Sequence, residues 1–161
     1  MDDEILYAVD DGVGTITLNR PQARNALTFA MYERLAAICG DPAAHGAPKV
    51  LIVTGAGDKA FAAGTDISQF RAFSKPEDAL AYEEKIERII TAIECCPIPT
   101  IAAISGAATG GGGSIACACD IRIATPSARF GYPIARTLGN CLSMANYARL
   151  VALLGPARVK D

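Results

Sequence analysis

Residues 105–120 read SGAATGGGGSIACACD, with four consecutive glycines between an apolar stretch and a stretch of small residues. The apolar stretch, TIAAISG (100–106), has the composition of a strand covered on both faces. The small residues after the glycines suit a closely packed helix. Glycine lets the chain turn sharply and lets a helix or a ligand approach main-chain atoms closely. Such a junction puts a strand end, a tight turn and a helix start in one place, which points to an α/β fold.

The rest of the chain agrees with that class. VGTITLN (13–19) alternates between two faces, and ILYAV before it pairs through a turn at Asp10–Gly12. RPQARNAL (20–27) reads as a loop. A helix succeeds it with Met31, Leu35, Ile38 and Cys39 on one face, closed by Gly40. KVLIVTG (49–55) is a second buried strand, and AGDKAFAAGTDISQF (56–70) a glycine-rich loop with a short helical turn near Asp66. Ser74-Lys75-Pro76-Glu77 reads as a capping box opening a long helix, whose Tyr82, Ile86, Ile89, Ile90 and Ile93 share a face and which Pro97 ends. DIRIAT is a further strand, ARFGYP a short extended piece, and about Leu142 to Leu154 a helix stopped by Gly155-Pro156. The order is β-β-α-β-α-β-α-β. A chain of 161 residues with 51% hydrophobic content suits one domain, expected here over 1–161. It ends in GPARVKD, where another helix is beginning, so the expectation is a fragment of a longer protein.

Composition excludes several function classes. A net charge of −2 gives no basic footprint for nucleic acid. Residues 95–119 carry no charge and are long enough to span a bilayer, but Pro97, Pro99 and the glycines make a strand plus helix the better reading, and no membrane association is expected. Of six cysteines none forms Cys-x-x-Cys, and the one histidine, His45, is distant in sequence. Buried thiols in a reducing cytoplasm are therefore expected, and no metal site. The glycine run has no Gly-Lys-Ser/Thr, no fitting dinucleotide fingerprint and no Gly-x-Ser-x-Gly elbow.

Two loops, after LIVTG and after IAAISG, each leave a buried strand and lead towards a helix. Main-chain N–H groups at helix starts stabilise negative charge. If both loops open on one side of a sheet, two N–H groups converge on one oxygen, the geometry of an oxyanion hole. Close helix–strand packing explains the same glycines equally well.

FAAGTDISQF (61–70) and SGAATGGGGSIACACDIRIAT (105–125) resemble the two signature loops of the enoyl-CoA hydratase/isomerase, or crotonase, superfamily. ITLNRPQARNAL (16–27) is similar to its N-terminal strand and CoA-contacting loop, and ARLVALLGPARVKD to its later helical region. The resemblance runs from about residue 5 to the last residue. It implies a spiral of β-β-α units, whose C-terminal helical part is missing here, and a CoA thioester as substrate with no covalently bound cofactor. It implies Thr65 and Gly111 as the two backbone donors. Ala63 falls at the adenine and Ala23 and Arg24 at the pantetheine and phosphates; Asp66 and Ile67, beside the first donor, are further CoA contacts. Asp66 also reads as a helix cap and Arg24 as a plain surface arginine. A homotrimer or hexamer is implied for the full-length protein.

The chain departs from the pattern where two glutamates perform general acid–base hydration. Ser114 stands at the first position, and Ile134 or Ala135 at the second. Ser114 reads first as a small helix-start residue and second as a catalytic group. Tyr132 and Arg136 are candidate pocket residues. The leading expectation is an acyl-CoA enzyme, with decarboxylation, double-bond isomerisation and thioester hydrolysis beside hydration. The alternatives are a non-catalytic acyl-CoA-binding homologue and a Clp-type serine protease using Ser114 or Thr109 with His45 as base.

Overall fold

The computed structural model describes residues 3–134, 136 and 141–160. The N-terminal alternation folds as a hairpin of β1 (Ile5–Asp10) and β2 (Val13–Leu18), antiparallel across a turn at Asp11 and Gly12. Next come three units in which a long strand, a short strand and a helix succeed one another. They are β3 (Val50–Gly55), β4 (Ala60–Ala62) and α2 (Pro76–Glu94); β5 (Thr100–Ile104), β6 (Ala107–Thr109) and α3 (Gly111–Ala118); and β7 (Ile121–Ala124), β8 (Arg129–Gly131) and α4 (Met144–Leu154). Helix α1 (Phe29–Gly40) precedes the first unit and α5 (Pro156–Lys160) comes after the last. The spiral of β-β-α units is therefore present.

Long strands and short strands build different sheets. The first has the order β1-β2-β3-β5-β7, parallel beyond the hairpin; the second is a parallel β4-β6-β8 ladder. The expected element order lacked β4 and β6. Three residues are too few to show a periodicity, and AFA and AAT carry few of the β-branched residues that mark strands.

The core lies between the first sheet and the helices. Met31, Leu35, Ile38 and Cys39 of α1 are buried as their spacing predicts, and Tyr32 joins them at 0% exposure. Ile86, Ile89, Ile90 and Ile93 bury the matching face of α2. Each such aliphatic side chain stabilises by about 1.5–3 kcal/mol when fully buried. The cap of α2 differs from expectation. Lys75 is the N-cap residue, and the Asp78 carboxylate accepts from the N–H groups of Ser74 and Lys75 at 2.8 and 3.2 Å, because Pro76 occupies the first turn and shifts the helix start by one residue. Thr100 and Asp120 lock β5 to the start of β7 with three hydrogen bonds of 2.8–2.9 Å. The expected burial of the cysteines holds for part of the set only: Cys39 and Cys119 are buried, whereas Cys95 and Cys141 are exposed.

The loop before α1 is pinned by one side chain. Asn25 sits at φ +53° with no exposure, a left-handed conformation that Asn tolerates better than most residues. Its Oδ1 accepts from the Arg20 N–H, and its Nδ2 donates to the Ala56 and Ala60 carbonyls at 3.0 and 2.7 Å. Asn25→Ala removes all three bonds. Each buried group left without a partner costs about 1–3 kcal/mol, so a loss of about 3 kcal/mol in a denaturant titration is expected. A loss under about 1 kcal/mol would remove Asn25 as the pin.

Candidate active site

Pairing of β4 with β6 sets two glycine loops side by side. The first leaves β4 at Ala62 and turns through Ala63 and Gly64, at φ +102°, into Thr65. The second leaves β6 at Thr109, turns at Gly110, at φ +53° and ψ −122°, and enters α3 at Gly111. A Cβ built on Gly64 would stand 3.4 Å from the Thr109 carbonyl oxygen and 3.9 Å from the Gly111 nitrogen. Both loops open on one cavity of about 350 Å³. The condition left open by the sequence, that both loops lie on the same side, is met.

Among the described residues the two amides in question have no structural use. Leu27 bridges the first loop by donating to the Gly64 carbonyl at 2.8 Å and accepting from the Asp66 N–H at 2.9 Å, a parallel bridge that turns the Thr65 N–H away from it. Gly111 is the first residue of α3, where a helix leaves its N–H groups unpaired. Neither N–H has an acceptor among the described residues.

Hydroxyls and rings surround this pair. The Tyr32 hydroxyl lies 2.9 Å from Thr65 Oγ1, which lies 2.8 Å from the Tyr82 hydroxyl. Burial pushes both phenols above their ordinary range, so they stay protonated. Phe70, Phe73 and Tyr82 pack at centroid distances of 4.9–6.1 Å and give the cavity an aromatic wall. Ile86 and Ile134 add to its apolar surface.

Ser114 lines the cavity and is 3% exposed. Its Oγ donates weakly back to the Gly110 carbonyl at 3.4 Å and lies 3.4 Å from the Tyr132 hydroxyl. The Tyr132 phenol is raised by burial and then by Cys117. Ile134 lines the same cavity, whereas Ala135 lies outside the described residues. Arg136 donates its main-chain N–H to Pro133 and does not line the cavity.

Of the other expected contacts, Ala63 and Ile67 line the cavity, whereas Ala23, Arg24 and Asp66 do not. Ala23 ends a 3-10 turn, Arg24 comes next at φ +52°, and the Arg24 carbonyl accepts from the Ala63 N–H at 3.1 Å, which ties this loop to the first glycine loop. The Arg24 side chain is exposed and in no ion pair among the described residues. Asp66 caps the 3-10 turn Ile67–Ala72 through Ser68 and pairs with Arg20 at 2.9 Å. Hydrogen bonds from Ser68, then Arg20, hold its carboxyl below the ordinary range. Ile67 is 65% exposed at the cavity mouth.

Among the lining residues that a sequence reading does not mark as site groups are Tyr32, Tyr82 and Glu83. Spacing puts Tyr82 on a core face and gives Tyr32 no place. Glu83 lies one position past Tyr82, so its acid flanks the apolar stripe rather than breaking it. A carboxyl on that shoulder is the available signal.

His45 lies in a short turn, edge-on to the Tyr7 ring at 6.3 Å, and does not line the cavity, which leaves Ser114 and Thr109 without an imidazole. Among the described residues no cluster of His, Cys, Asp and Glu could hold a metal, and no helix is long and apolar enough to cross a membrane.

A family model described as enoyl-CoA hydratase/isomerase matches residues 8–161. A crotonyl-CoA hydratase of Syntrophomonas wolfei is 36% identical over 99% of this chain and 60% of its own. A short-chain-enoyl-CoA hydratase of Clostridium acetobutylicum is 34% identical over 98% and 59%. The crystal structure of an enoyl-CoA hydratase/carnithine racemase from Magnetospirillum magneticum superposes with a TM-score of 0.90 at 36% identity, covering 99% of this chain and 60% of that one. The chain thus spans about 60% of the length of these relatives.

Proposed function

The chain belongs to the enoyl-CoA hydratase/isomerase family, and from that premise we propose that it is part of an acyl-CoA enzyme that stabilises a thioester enolate. The observation that carries the reading is the pair of amides, Thr65 and Gly111, without an acceptor among the described residues and on touching loops at one cavity. When a proton leaves the carbon next to a thioester, negative charge gathers on the carbonyl oxygen. Two fixed N–H donors hold that charge in a site partly closed to water, where each is worth about 3–4 kcal/mol in comparable enzymes.

The surroundings suit the remainder of the substrate. The apolar wall of Phe70, Phe73 and Ile86 takes the acyl chain. Ala63 and the exposed Ile67 flank the mouth, where the adenine and pantetheine would lie, with Asp66 between them and Ala23 beside the pantetheine. Arg24, in no ion pair among the described residues, is placed in sequence to meet phosphate. Coenzyme A is then part of the substrate, and the whole protein is a trimer or hexamer working in the cytoplasm.

Hydration needs a carboxylate at two positions, and Ser114 at the first and Ile134 or Ala135 at the second supply none. Weight moves to reactions that need an enolate without that pair. The same observation favours a second reading, a protein that binds acyl-CoA without turning it over. An enolisable 3-ketoacyl-CoA separates the two from unrelated functions. Calorimetry should register binding, and the ultraviolet band of the enolate should grow as the protein is added. Binding without that band leaves the non-catalytic reading, and no binding ends both.

A further inference from the structure

Resting on the acyl-CoA reading above, we infer that Glu83 is the catalytic residue that moves the proton at the α carbon of the bound acyl group. Ala79, Tyr82, Glu83 and Ile86 all line the cavity. They keep the i, i+3, i+4, i+7 spacing of one helix face, so α2 presents a wall with a single acid in it. Among the described residues Glu83 is the only carboxyl in the lining. Its neighbour Tyr82 holds Thr65 by a 2.8 Å hydrogen bond, so the acid sits one residue from a group tied to a proposed donor.

Three other acids on α2 are engaged, and the remaining two, Glu77 and Glu84, do not line the cavity. Glu87 pairs with Arg149 at 2.7 Å, Glu94 with Arg149 at 2.9 Å, and Asp78 caps the helix. Glu83 makes no ion pair or hydrogen bond among the described residues. Glu83 is exposed as a residue, but partial burial against the cavity first, and Glu87 second, raise its carboxyl above the ordinary range, while Arg149 draws Glu87 below it. A carboxyl held closer to neutrality both takes and returns a proton. The lining phenols, kept protonated by burial, cannot act as the base.

The step balances with one carboxyl. Glu83 carboxylate takes the α proton, the C–H bond breaks, and its electron pair enters the thioester as an enolate held by the two amides. Returning the proton at the γ carbon moves a double bond from the β,γ to the α,β position. No water or other reactant is consumed. One shuttle suffices for this shift, whereas hydration calls for two groups.

The test uses but-3-enoyl-CoA, whose shift to the conjugated isomer is read by absorbance, and butyryl-CoA, whose binding is read by calorimetry. Wild type should bind and isomerise. Glu83→Gln should lose about a hundredfold in kcat with butyryl-CoA affinity kept within about twofold, and Glu83→Asp should recover part of the rate. Wild-type isomerisation by Glu83→Gln overturns the assignment, as does a wild type that binds without isomerising. A wild type that binds neither ligand removes the acyl-CoA reading, and this inference with it.

Discussion

Replacing Gly112 with alanine is expected to cost the fold about 3 kcal/mol or more, a large part of the roughly 5–15 kcal/mol that holds a typical domain together. The new Cβ would land on the Ala62 carbonyl oxygen and stand 2.7 Å from the Ala62 Cβ and 2.9 Å from its carbonyl carbon. Two of these obstacles are main chain, in a strand paired to β6, so no rotamer change relieves them. Helix α3 must lift from the small sheet or β4 must move, and β4 carries the first glycine loop. Gly40→Ala is the contrast. Nothing lies within 4 Å of its Cβ at the end of α1, and the helix should gain up to about 1 kcal/mol. Denaturant titration of both variants checks this; equal stability of Gly112→Ala and wild type would contradict the packing described.

Thr65→Pro is expected to lower turnover of an acyl-CoA by about 10²–10³-fold, the usual cost of one lost oxyanion donor. Proline is the one ordinary substitution that removes a main-chain N–H. The Leu27 bridge uses the Gly64 carbonyl and the Asp66 N–H, so it survives the loss of the Thr65 N–H. Thr65→Val keeps the amide and removes only the hydroxyl joined to Tyr32 and Tyr82, and should cost far less. An amide-to-ester exchange at Thr65 deletes the donor without the proline ring. Equal rates for the ester and the native protein, with matched melting temperatures, would exclude this donor from the chemistry.

Much of the scaffold could be read from spacing. The β1–β2 alternation, the isoleucine stripe of α2 and the buried faces of α1 are periodic over six or more residues, and they are where expected. Strands β4 and β6 could not be read that way, because AFA and AAT are shorter than any period test and owe their identity to neighbours distant in sequence. The site divides similarly. Gly64 and Gly110 advertise the loops, yet only pairing between those short strands brings the loops into touch. Asn25 passes as one polar residue in a polar loop, although its amide spans two turns of chain. Glu83 is hidden in a helix of many acids, since sequence does not tell which carboxyl meets an arginine and which meets a cavity.

The seam between Gly64 and Gly110 consists of bare backbone, so no side chain of its own fills the gap between the two loops. Positions 83, 114 and 134 line the same cavity but lie outside that seam, so a change of acid at one of them leaves the main-chain atoms of the seam in place. If the proposed pair of amides holds the thioester, a lineage built on this seam trades one reaction for another by small steps while the same main-chain atoms keep their grip.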